Sequence, residues 1–478
     1  MDAIVLYPSP GMGHLISMVE LGKLILTHHP SFIVIILITT PPFKVGSTAS
    51  YLAAVSAINP SISFHQLPLI SLDPASYDSV ESLLSDLINL NNVHVDAALT
   101  KISLTSTVHS LIIDPFCYPA LEIAAKLKIP AYYFFASNAS CLALFLHIPS
   151  IYRNTTENFK DLNTLVHLPC LPPIPLNHLP EPTLIRNTIE CDFLINSMAH
   201  LAKSAGTIIN TFETLEPKAV KALSEGFSIP NGPSQTPPVF CVGPLIDTNN
   251  GRNRGNGDDD NKGAECLKWL DSQPSQSVVF LCFGSMGLFS KEQLMEIALG
   301  LERCGQRFLW VVRNPPSNNK KQGFTEGQDP ALDTLLPEGF LDRTSDRGLV
   351  VKAWAPQVAV LSHGSVGGFV THCGWNSVLE SICAGVPMIA WPLYAEQKFN
   401  KIMLVEEMNL ALPVNESENG LVSAEELEKR VRELMETEAG KSIRDHAMAK
   451  RDEAAAALSE GGPSVTALAQ LIKCWTQK

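Results

Sequence analysis

Long apolar runs and clusters of basic residues are both missing from this sequence of 478 residues. The longest apolar runs, such as Phe32–Leu37, have the length of a strand and fall well short of the ~20 residues that span a bilayer. Charged residues make up only 17%, and 48 Asp and Glu outnumber 35 Lys and Arg. Because binding to a phosphate backbone needs clustered cations, neither a membrane helix nor nucleic acid as a partner is expected.

Paired cysteine motifs are also absent. The eleven cysteines are irregularly spaced and include no C-x-x-C, which favours reduced thiols over a disulfide framework. Asp2 stands where an export signal would carry basic residues, and only five apolar residues follow it before Pro8. We therefore expect a cytoplasmic protein.

Three motifs of common α/β enzymes are incomplete or missing. Gly11-Met-Gly13 resembles the start of a dinucleotide fingerprint, but the third glycine of that fingerprint is not there. No G-x-S-x-G occurs, which removes the nucleophile elbow of α/β-hydrolases. Asp258-Asp259-Asp260 contains a D-x-D, but it lies in an Asn/Gly-rich segment, so no metal site is expected.

Short apolar strands alternate with helical stripes along the chain, a pattern typical of parallel sheets covered by helices. In the first half the pattern predicts strands at 3–7, 32–39, 62–67, 110–113 and 131–135. In the second half it predicts strands at 277–283, 307–312, 349–353, 368–371 and 388–391. The fold class is therefore α/β, with two doubly wound domains.

The segment 248–263 contains no apolar residue and marks the predicted domain boundary. We expect an N-terminal domain over 1–247, a linker over 248–263 and a C-terminal domain over 264–478, and the last helix could pack back on the N-terminal domain. A Pro-rich stretch, 167–175, is predicted to be a surface loop.

Two polar residues follow strands of the first half. His14 closes the Gly-rich turn after the first strand, and Asp114 comes directly after the strand that ends at Ile113. A carboxylate that holds one imidazole nitrogen leaves the other as an oriented base, which can deprotonate a hydroxyl group. An isolated histidine at such a place is more often a helix cap or a buried hydrogen-bonding residue, so the spacing leaves the pairing open.

The segment 364–377 runs from a strand through a Gly-containing turn into a helix. Backbone N–H groups and the helix dipole bind anions at such a place, and His372, Asn376 and Ser377 add donors. A second turn, Gly284-Ser285, follows the first strand of the same half and could face the same phosphates. Either turn taken alone could equally be a helix cap or a tight turn that binds no ligand.

Two more residues of the second half suit a nucleoside. Trp354 follows a strand and offers a face to a flat base, although a lone tryptophan is more often packing. Glu380 lies one turn beyond Ser377 and could accept hydrogen bonds from ribose hydroxyl groups.

The segment Trp354–Gln397 resembles the donor-binding box of plant family 1 UDP-glycosyltransferases. It opens with Trp-Ala-Pro-Gln and closes with Pro-Leu-Tyr-Ala-Glu-Gln, and the likeness covers the whole chain from the Pro-Gly-Met-Gly-His14 turn through Phe-Gly-Ser285. The resemblance implies the GT-B fold, in which two Rossmann-like domains face a central cleft. It makes His14 the general base and Asp114 its partner.

The resemblance also implies which residues bind the UDP-sugar. The nucleoside contacts are Trp354, which stacks on the uracil, and Gln357 and Glu380, which hold the ribose. The diphosphate contacts are Ser285, His372, Asn376 and Ser377. The sugar contacts are Trp375, Glu396 and Gln397. Ala355 and Gly374 complete the donor-binding set.

Sugar and acceptor preferences follow from the same resemblance. Trp375 together with a closing Gln goes with UDP-glucose, and Gln397, which can donate and accept, is expected to pair with the equatorial hydroxyl groups of glucose. Phe135-Ala136-Ser137 departs from the Phe-Thr-Ser of many relatives, which leaves Ser137 as the candidate replacement for the threonine contact. The stretch 341–354 is similar to the branch that acts on flavonoids, isoflavones and chalcones.

The implied reaction is an inverting transfer of glucose from UDP-glucose to a phenolic hydroxyl group, giving a β-O-glucoside. We expect a monomer that needs no cofactor or metal beyond the donor. Three alternatives stay open: C-glucosylation of an electron-rich phenol ring, a nicotinamide-dependent reductase, and a nucleotide-binding module without turnover. The acceptor pocket is expected in the N-terminal domain, where apolar residues are available: Phe116, Phe134, Phe135, Leu142, Phe145 and Leu146.

Overall fold

A computed structural model describes residues 1–42, 48–226, 237–247, 257–316 and 329–476, without the side chains of 257–262. The chain divides into two compact units, which we call unit 1 and unit 2. Unit 1 consists of residues 1–246 together with 455–478, and unit 2 consists of residues 247–454.

Unit 1 is built on a seven-stranded sheet in which every neighbouring pair of strands is parallel. The strands of the unit, including a small hairpin of β6 and β7, are β1 (Asp2–Tyr7), β2 (Phe32–Ile38), β3 (Ile62–Gln66), β4 (Thr107–Ile113), β5 (Ala131–Phe135), β6 (Leu165–Val166), β7 (Ile174–Pro175), β8 (Thr207–Ile209) and β9 (Val239–Cys241). The order in the sheet is β3-β2-β1-β4-β5-β8-β9. The winding reverses between β1 and β4, and ligands of such sheets bind at the carboxyl ends of the strands at this switch point.

In the described part of unit 1, seven α-helices connect the strands: α1 (Met12–His28), α2 (Thr48–Ile58), α3 (Val80–Ser103), α4 (Ala120–Leu127), α5 (Ala139–Asn154), α6 (Ile189–His200) and α7 (Pro217–Ser224). Helix α1 starts after Gly11, whose φ of 137° favours glycine. Gly22 brings α1 close to the sheet, because a Cβ there would lie 3.2 Å from the Val34 side chain. The first turn of α1, with His14, is thereby fixed next to the end of β1.

Unit 2 repeats the architecture with six parallel strands: β10 (Val278–Cys282), β11 (Arg307–Val312), β12 (Gly348–Lys352), β13 (Val366–Thr371), β14 (Met388–Ala390) and β15 (Ala411–Pro413). The order is β12-β11-β10-β13-β14-β15, so the switch point lies between β10 and β13. Its helices are α8 (Gly257–Asp271), α9 (Lys291–Cys304), α10 (Leu332–Leu335), α11 (Phe340–Arg343), α12 (Gln357–Leu361), α13 (Trp375–Ala384), α14 (Gln397–Ile402), α15 (Ala424–Glu436) and α16 (Glu438–Ala457), the last of which runs across the boundary of the unit.

The last helix, α17 (Pro463–Thr476), belongs to unit 1. Its apolar face, Leu468, Leu471, Ile472 and Trp475, is part of the same core as the strands β1 and β2. Ser464 donates a hydrogen bond of 2.6 Å to the Gly243 carbonyl oxygen, and the Trp475 carbonyl oxygen lies 3.0 Å from Nδ1 of His109. Unit 1 is thus completed by residues from the far end of the sequence.

Two segments differ from the sequence-based expectation. The Pro-rich stretch 167–175 forms the loop between β6 and β7 together with β7 itself, but it lies only partly at the surface: His167, Pro169 and Pro173 are exposed, whereas Leu168, Cys170, Leu171 and Ile174 are buried. The predicted linker 248–263 ends in a helix, since α8 begins at Gly257, and residues 248–256 lie outside the described part of the chain. Within the described ranges, no helix combines the length and the apolar character needed to cross a membrane.

Candidate active site

The switch point of unit 1 carries a histidine–carboxylate pair. His14 Nδ1 lies 2.6 Å from Asp114 Oδ2, and these residues follow the adjacent strands β1 and β4. The Asp114 side chain is 2% exposed, whereas that of His14 is 37% exposed. The second oxygen of Asp114, Oδ1, accepts a hydrogen bond of 3.0 Å from the backbone N–H of Phe116. The carboxylate is therefore fixed from both sides, and it orients the imidazole.

This geometry can activate a hydroxyl group. With Nδ1–H donating to the carboxylate, Nε2 is the ring nitrogen that takes a proton, and the imidazolium formed would be stabilised by the negative charge of Asp114. The Phe116 ring lies 5.7 Å from the imidazole and in turn stacks on Phe193. The base is thus bordered by aromatic side chains of unit 1.

Of the six apolar residues expected for an acceptor pocket, three are buried in the protein interior: Phe134, Phe135 and Leu142. Phe116, Phe145 and Leu146 are partly exposed. The partly exposed residues are therefore the better candidates for contacts with a small molecule.

The anion turn of unit 2 lies at the second switch point. After β13, Cys373 adopts a φ of 65°, and α13 then begins at Trp375. Gly374 occupies the N-cap position, and as a glycine it has no side chain with which to cap the helix. Asn400 donates a hydrogen bond of 2.9 Å from Nδ2 to the Cys373 carbonyl oxygen, which holds the strained residue in place.

His372 lies at the centre of this turn. A Cβ on Gly284 or on Gly374 would lie 2.6 Å or 2.5 Å from His372 Nε2, so glycine at both positions makes room for the imidazole. His372 is only 6% exposed, and its burial lowers the pKa of the imidazole to about 4. At pH 7 it is therefore a neutral donor and adds no positive charge.

Two of the predicted nucleoside contacts, Gln357 and Glu380, are hydrogen-bonded to each other, and Gln357 also reaches Ser377, a predicted diphosphate contact. Gln357 Nε2 donates to Ser377 Oγ at 2.8 Å and to Glu380 Oε2 at 2.6 Å. Trp354 is partly exposed after β12, and its neighbour Ala355 is buried. The structure thus brings together Gln357, Ser377 and Glu380.

The sugar residues are less open than the sequence suggests. Gln397 is 3% exposed, and its Oε1 accepts hydrogen bonds of 2.9 Å from the backbone N–H groups of both Leu393 and Tyr394. The oxygen of Gln397 is therefore used by its own loop, which leaves its N–H groups for a ligand, and the contact of Gln397 with the sugar stays a prediction. Trp375 is also 3% exposed, and Glu396 directly precedes α14.

Several residues at this edge were not found from the sequence. Arg313, Tyr394 and Asn400 all lie among the predicted donor residues, and their partners are distant in the sequence. The positions of Arg313 directly after β11 and of Tyr394 in the loop after β14 are the signals that could have pointed to them. Among the described residues no group of acidic, His and Cys side chains could hold a metal ion, and the side chains of Asp258–Asp260 lie outside that description.

Each of the two units has a Rossmann-like sheet of parallel strands. One sheet carries an oriented base and the other an anion turn, and this combination defines a GT-B glycosyltransferase. The model of the family described as UDP-glucoronosyl and UDP-glucosyl transferase matches residues 250–449. Together with relatives that are about half identical over the full chain, this match establishes that the chain belongs to the UDP-glycosyltransferase family. The sequence-based prediction of family and fold is confirmed.

The relatives include plant glucosyltransferases. An anthocyanidin 5,3-O-glucosyltransferase of a Rosa hybrid cultivar is 50% identical, over 100% of this chain and 99% of its own. A phloretin 2'-O-glucosyltransferase of Malus domestica is 48% identical, over 99% of this chain and 100% of its own.

A solved structure of Phytolacca americana UGT2 with UDP-2fluoro-glucose and pterostilbene superposes with a TM-score of 0.87 at 38% identity and covers both chains completely. Medicago truncatula UGT71G1 with UDP-glucose superposes with a TM-score of 0.85 at 32% identity and covers 99% of this chain and 98% of its own. The chain is thus similar over its full length to enzymes seen with UDP-sugars.

Proposed function

We propose that the protein transfers glucose from UDP-glucose to a phenolic hydroxyl group of a flavonoid, isoflavone or chalcone-type acceptor, giving a β-O-glucoside. The observation that carries this proposal is the 2.6 Å contact between His14 and the buried Asp114. A module that only binds nucleotides has no use for such an oriented base. The relatives that glucosylate an anthocyanidin and phloretin support an aromatic hydroxyl acceptor and oxygen as the nucleophile.

In the proposed mechanism, His14 Nε2 takes the proton of the acceptor hydroxyl as its oxygen attacks the anomeric carbon of the glucose. A phenol with a pKa of about 10 is mostly neutral at pH 7, so a positioned base contributes roughly 10²–10⁴-fold to the rate. The bond between the anomeric carbon and the diphosphate oxygen breaks on the opposite face, which inverts the configuration. Asp114 stabilises the imidazolium that results.

The leaving UDP carries the electron pair of the broken bond. The N-terminus of α13, the neutral His372 and the turn at Ser285 are the groups proposed to stabilise this charge. No metal ion and no cofactor enter the proposed mechanism. We further propose that the protein acts as a cytoplasmic monomer, and the free state of its eleven cysteines is in keeping with a reducing compartment.

Incubation with UDP-glucose and a panel of phenolic acceptors, followed by mass spectrometry and acid hydrolysis, tests the function. We expect products heavier by one hexose that release glucose in acid. A product that resists hydrolysis would instead identify C-glucosylation, and the absence of any product across flavonoids, isoflavones and chalcones would contradict the proposal.

Replacement of Trp354 by alanine is expected to raise the KM for UDP-glucose about 5- to 150-fold, because stacking on a base is worth about 1–3 kcal/mol. The Trp354→Phe variant should recover most of this loss, since it keeps an aromatic face. Thermal melting and donor KM are measured together. An alanine variant that melts much earlier but keeps its donor KM would show that Trp354 is packing only.

UDP-glucose is expected to be a much better donor than UDP-glucuronic acid. The residues proposed at the sugar, Trp375, Glu396 and Gln397, include no cation, and the Glu396 carboxylate would repel the carboxylate of glucuronate. Burial of an unpaired carboxylate costs roughly several kcal/mol, so kcat/KM for UDP-glucuronic acid should be lower than that for UDP-glucose by about 100-fold or more. Measurement of kcat/KM for both donors with one acceptor decides this, and equal use of the two would remove these residues from the sugar site.

A further inference from the structure

The donor-binding residues of unit 2 contain no positive charge, although their ligand is an anion. His372 is neutral at pH 7 because burial lowers its pKa to about 4, and Glu380 and Glu396 are acidic. Departure of UDP adds further negative charge at the diphosphate. Helix dipoles and N–H groups stabilise such charge in part, but transferases of phosphate-linked groups commonly add a cation at this point.

Arg313 lies where such a cation would be useful. It directly follows β11, the neighbour of β10 in the sheet, and its Nη1 donates a hydrogen bond to the carbonyl oxygen of Ser285. The guanidinium also lies within electrostatic range of Cys282 and Tyr394. The Tyr394 ring is 5.9 Å from the His372 ring, so Arg313 belongs to the cluster of residues at the carboxyl ends of the central strands.

The charge of Arg313 has no carboxylate partner among the described residues. Other arginines of unit 2 do form ion pairs, as between Arg343 and Glu302 at 2.6 Å and between Arg430 and Glu426 at 2.7 Å. Arg313 is partly buried, and burial lowers the pKa of its guanidinium, which nevertheless stays charged at pH 7. Partly buried cations are normally matched by an anion.

We infer that Arg313 supplies the positive charge of the donor site: one N–H group fixes the Ser285 turn, and the remaining N–H groups bind the diphosphate of the UDP-sugar. A guanidinium has five donors in a planar fork, so it can hold a backbone oxygen and phosphate oxygens together. Its attraction grows as the negative charge of the departing UDP develops. This inference rests on the proposed function and adds a residue outside the segment 354–397.

The test compares UDP with uridine, which lacks phosphate, by titration calorimetry on wild type, R313Q and the control R307Q. Arg307 opens the same strand at its opposite end and is exposed, so R307Q makes the same charge change away from the site. We expect R313Q to weaken UDP binding about 10-fold or more, as for the loss of a hydrogen bond to a charged group, with uridine binding unchanged. R307Q should match wild type for both ligands.

Salt dependence separates a direct contact from an effect through Ser285. UDP affinity of the wild type and of S285A should fall with added NaCl, whereas in R313Q the fall should be clearly smaller because the charge is gone. R313K, which keeps the charge without the fork, should retain the salt dependence and lose about threefold in UDP affinity. If R313Q does not fold, this threefold loss in R313K with unchanged uridine binding supports the inference.

Three results would overturn the assignment of Arg313: equal losses for UDP and uridine in R313Q, a salt dependence in R313Q equal to that of wild type, or unchanged UDP affinity in R313K when R313Q does not fold. Failure of the wild-type protein to bind UDP at all would instead contradict the proposed function itself. The two failures are therefore distinguishable.

Discussion

Replacement of His14 by alanine is expected to lower kcat for transfer to a phenol by roughly 10²–10⁴-fold, because it removes the base that accepts the hydroxyl proton. UDP affinity should stay within about twofold of wild type, since all proposed UDP contacts belong to unit 2. The Asp114→Ala variant keeps the imidazole but loses the 2.6 Å contact that orients it, so its loss should be smaller. Turnover with one phenol and calorimetry with UDP measure both effects.

The protein contains a matched control for this experiment. His109 lies in β4 of the same unit and forms its own pair with a carboxylate, 2.8 Å from Asp2, near the start of the strand and not at the switch point. His109→Ala should therefore leave kcat per folded molecule near the wild-type value. A His14→Ala variant that keeps more than about a tenth of wild-type turnover would remove His14 from its role as base.

Replacement of Gly374 by alanine is the second change with a large expected effect. A Cβ there would lie 2.5 Å from His372 Nε2, so the buried imidazole or the first turn of α13 must move. Since a displacement of about 1 Å can cost roughly 10²-fold in rate, we expect kcat/KM for UDP-glucose to fall by about that factor. Steady-state kinetics with varied donor at a fixed acceptor concentration measure it.

Gly364 provides the comparison for Gly374. It precedes β13 in the same segment, has an ordinary φ, and a Cβ there would meet no atom within 4 Å. The Gly364→Ala variant should therefore keep the wild-type kcat/KM. If kcat/KM for UDP-glucose is the same in the two variants, whether high or low, the space beside His372 does not determine how the donor binds.

The strands and helices that could be predicted are those with a long, regular apolar pattern. The predicted strands 131–135 and 307–312 coincide with β5 and β11, and α3 lies between β3 and β4, where the predicted alternation requires a helix. The three-residue strands β8 and β9 were not predicted, because so few residues show no period, whereas the equally short β14 was predicted from the longer apolar run 388–391. Helix α5 was also missed, since its almost wholly apolar first half hides the helical stripe and Pro149 lies within it.

The candidate site shows a similar division. The residues that follow strands, such as His14, Asp114 and His372, could be found because parallel strands bring their carboxyl ends to one edge. The hydrogen bonds that hold these residues in place could not be found from the sequence. Asn400 donates a hydrogen bond to Cys373, which lies 27 residues earlier in the sequence, and the side-chain oxygen of Gln397 accepts hydrogen bonds from its own loop. Such partners depend on the packed backbone and leave no periodic pattern in the sequence.

The position of α17 in the core of unit 1 has a consequence for how the protein is made. During synthesis the sheet of unit 1 emerges before unit 2, yet the face that Leu468, Leu471 and Trp475 cover stays open until α17 has left the ribosome. Residues 247–454 are translated in between, which at about 5–20 residues per second delays completion of that core by roughly 10–40 s. Unit 2 is therefore available to fold before the older unit is finished, and the nascent chain exposes apolar surface to chaperones throughout that interval.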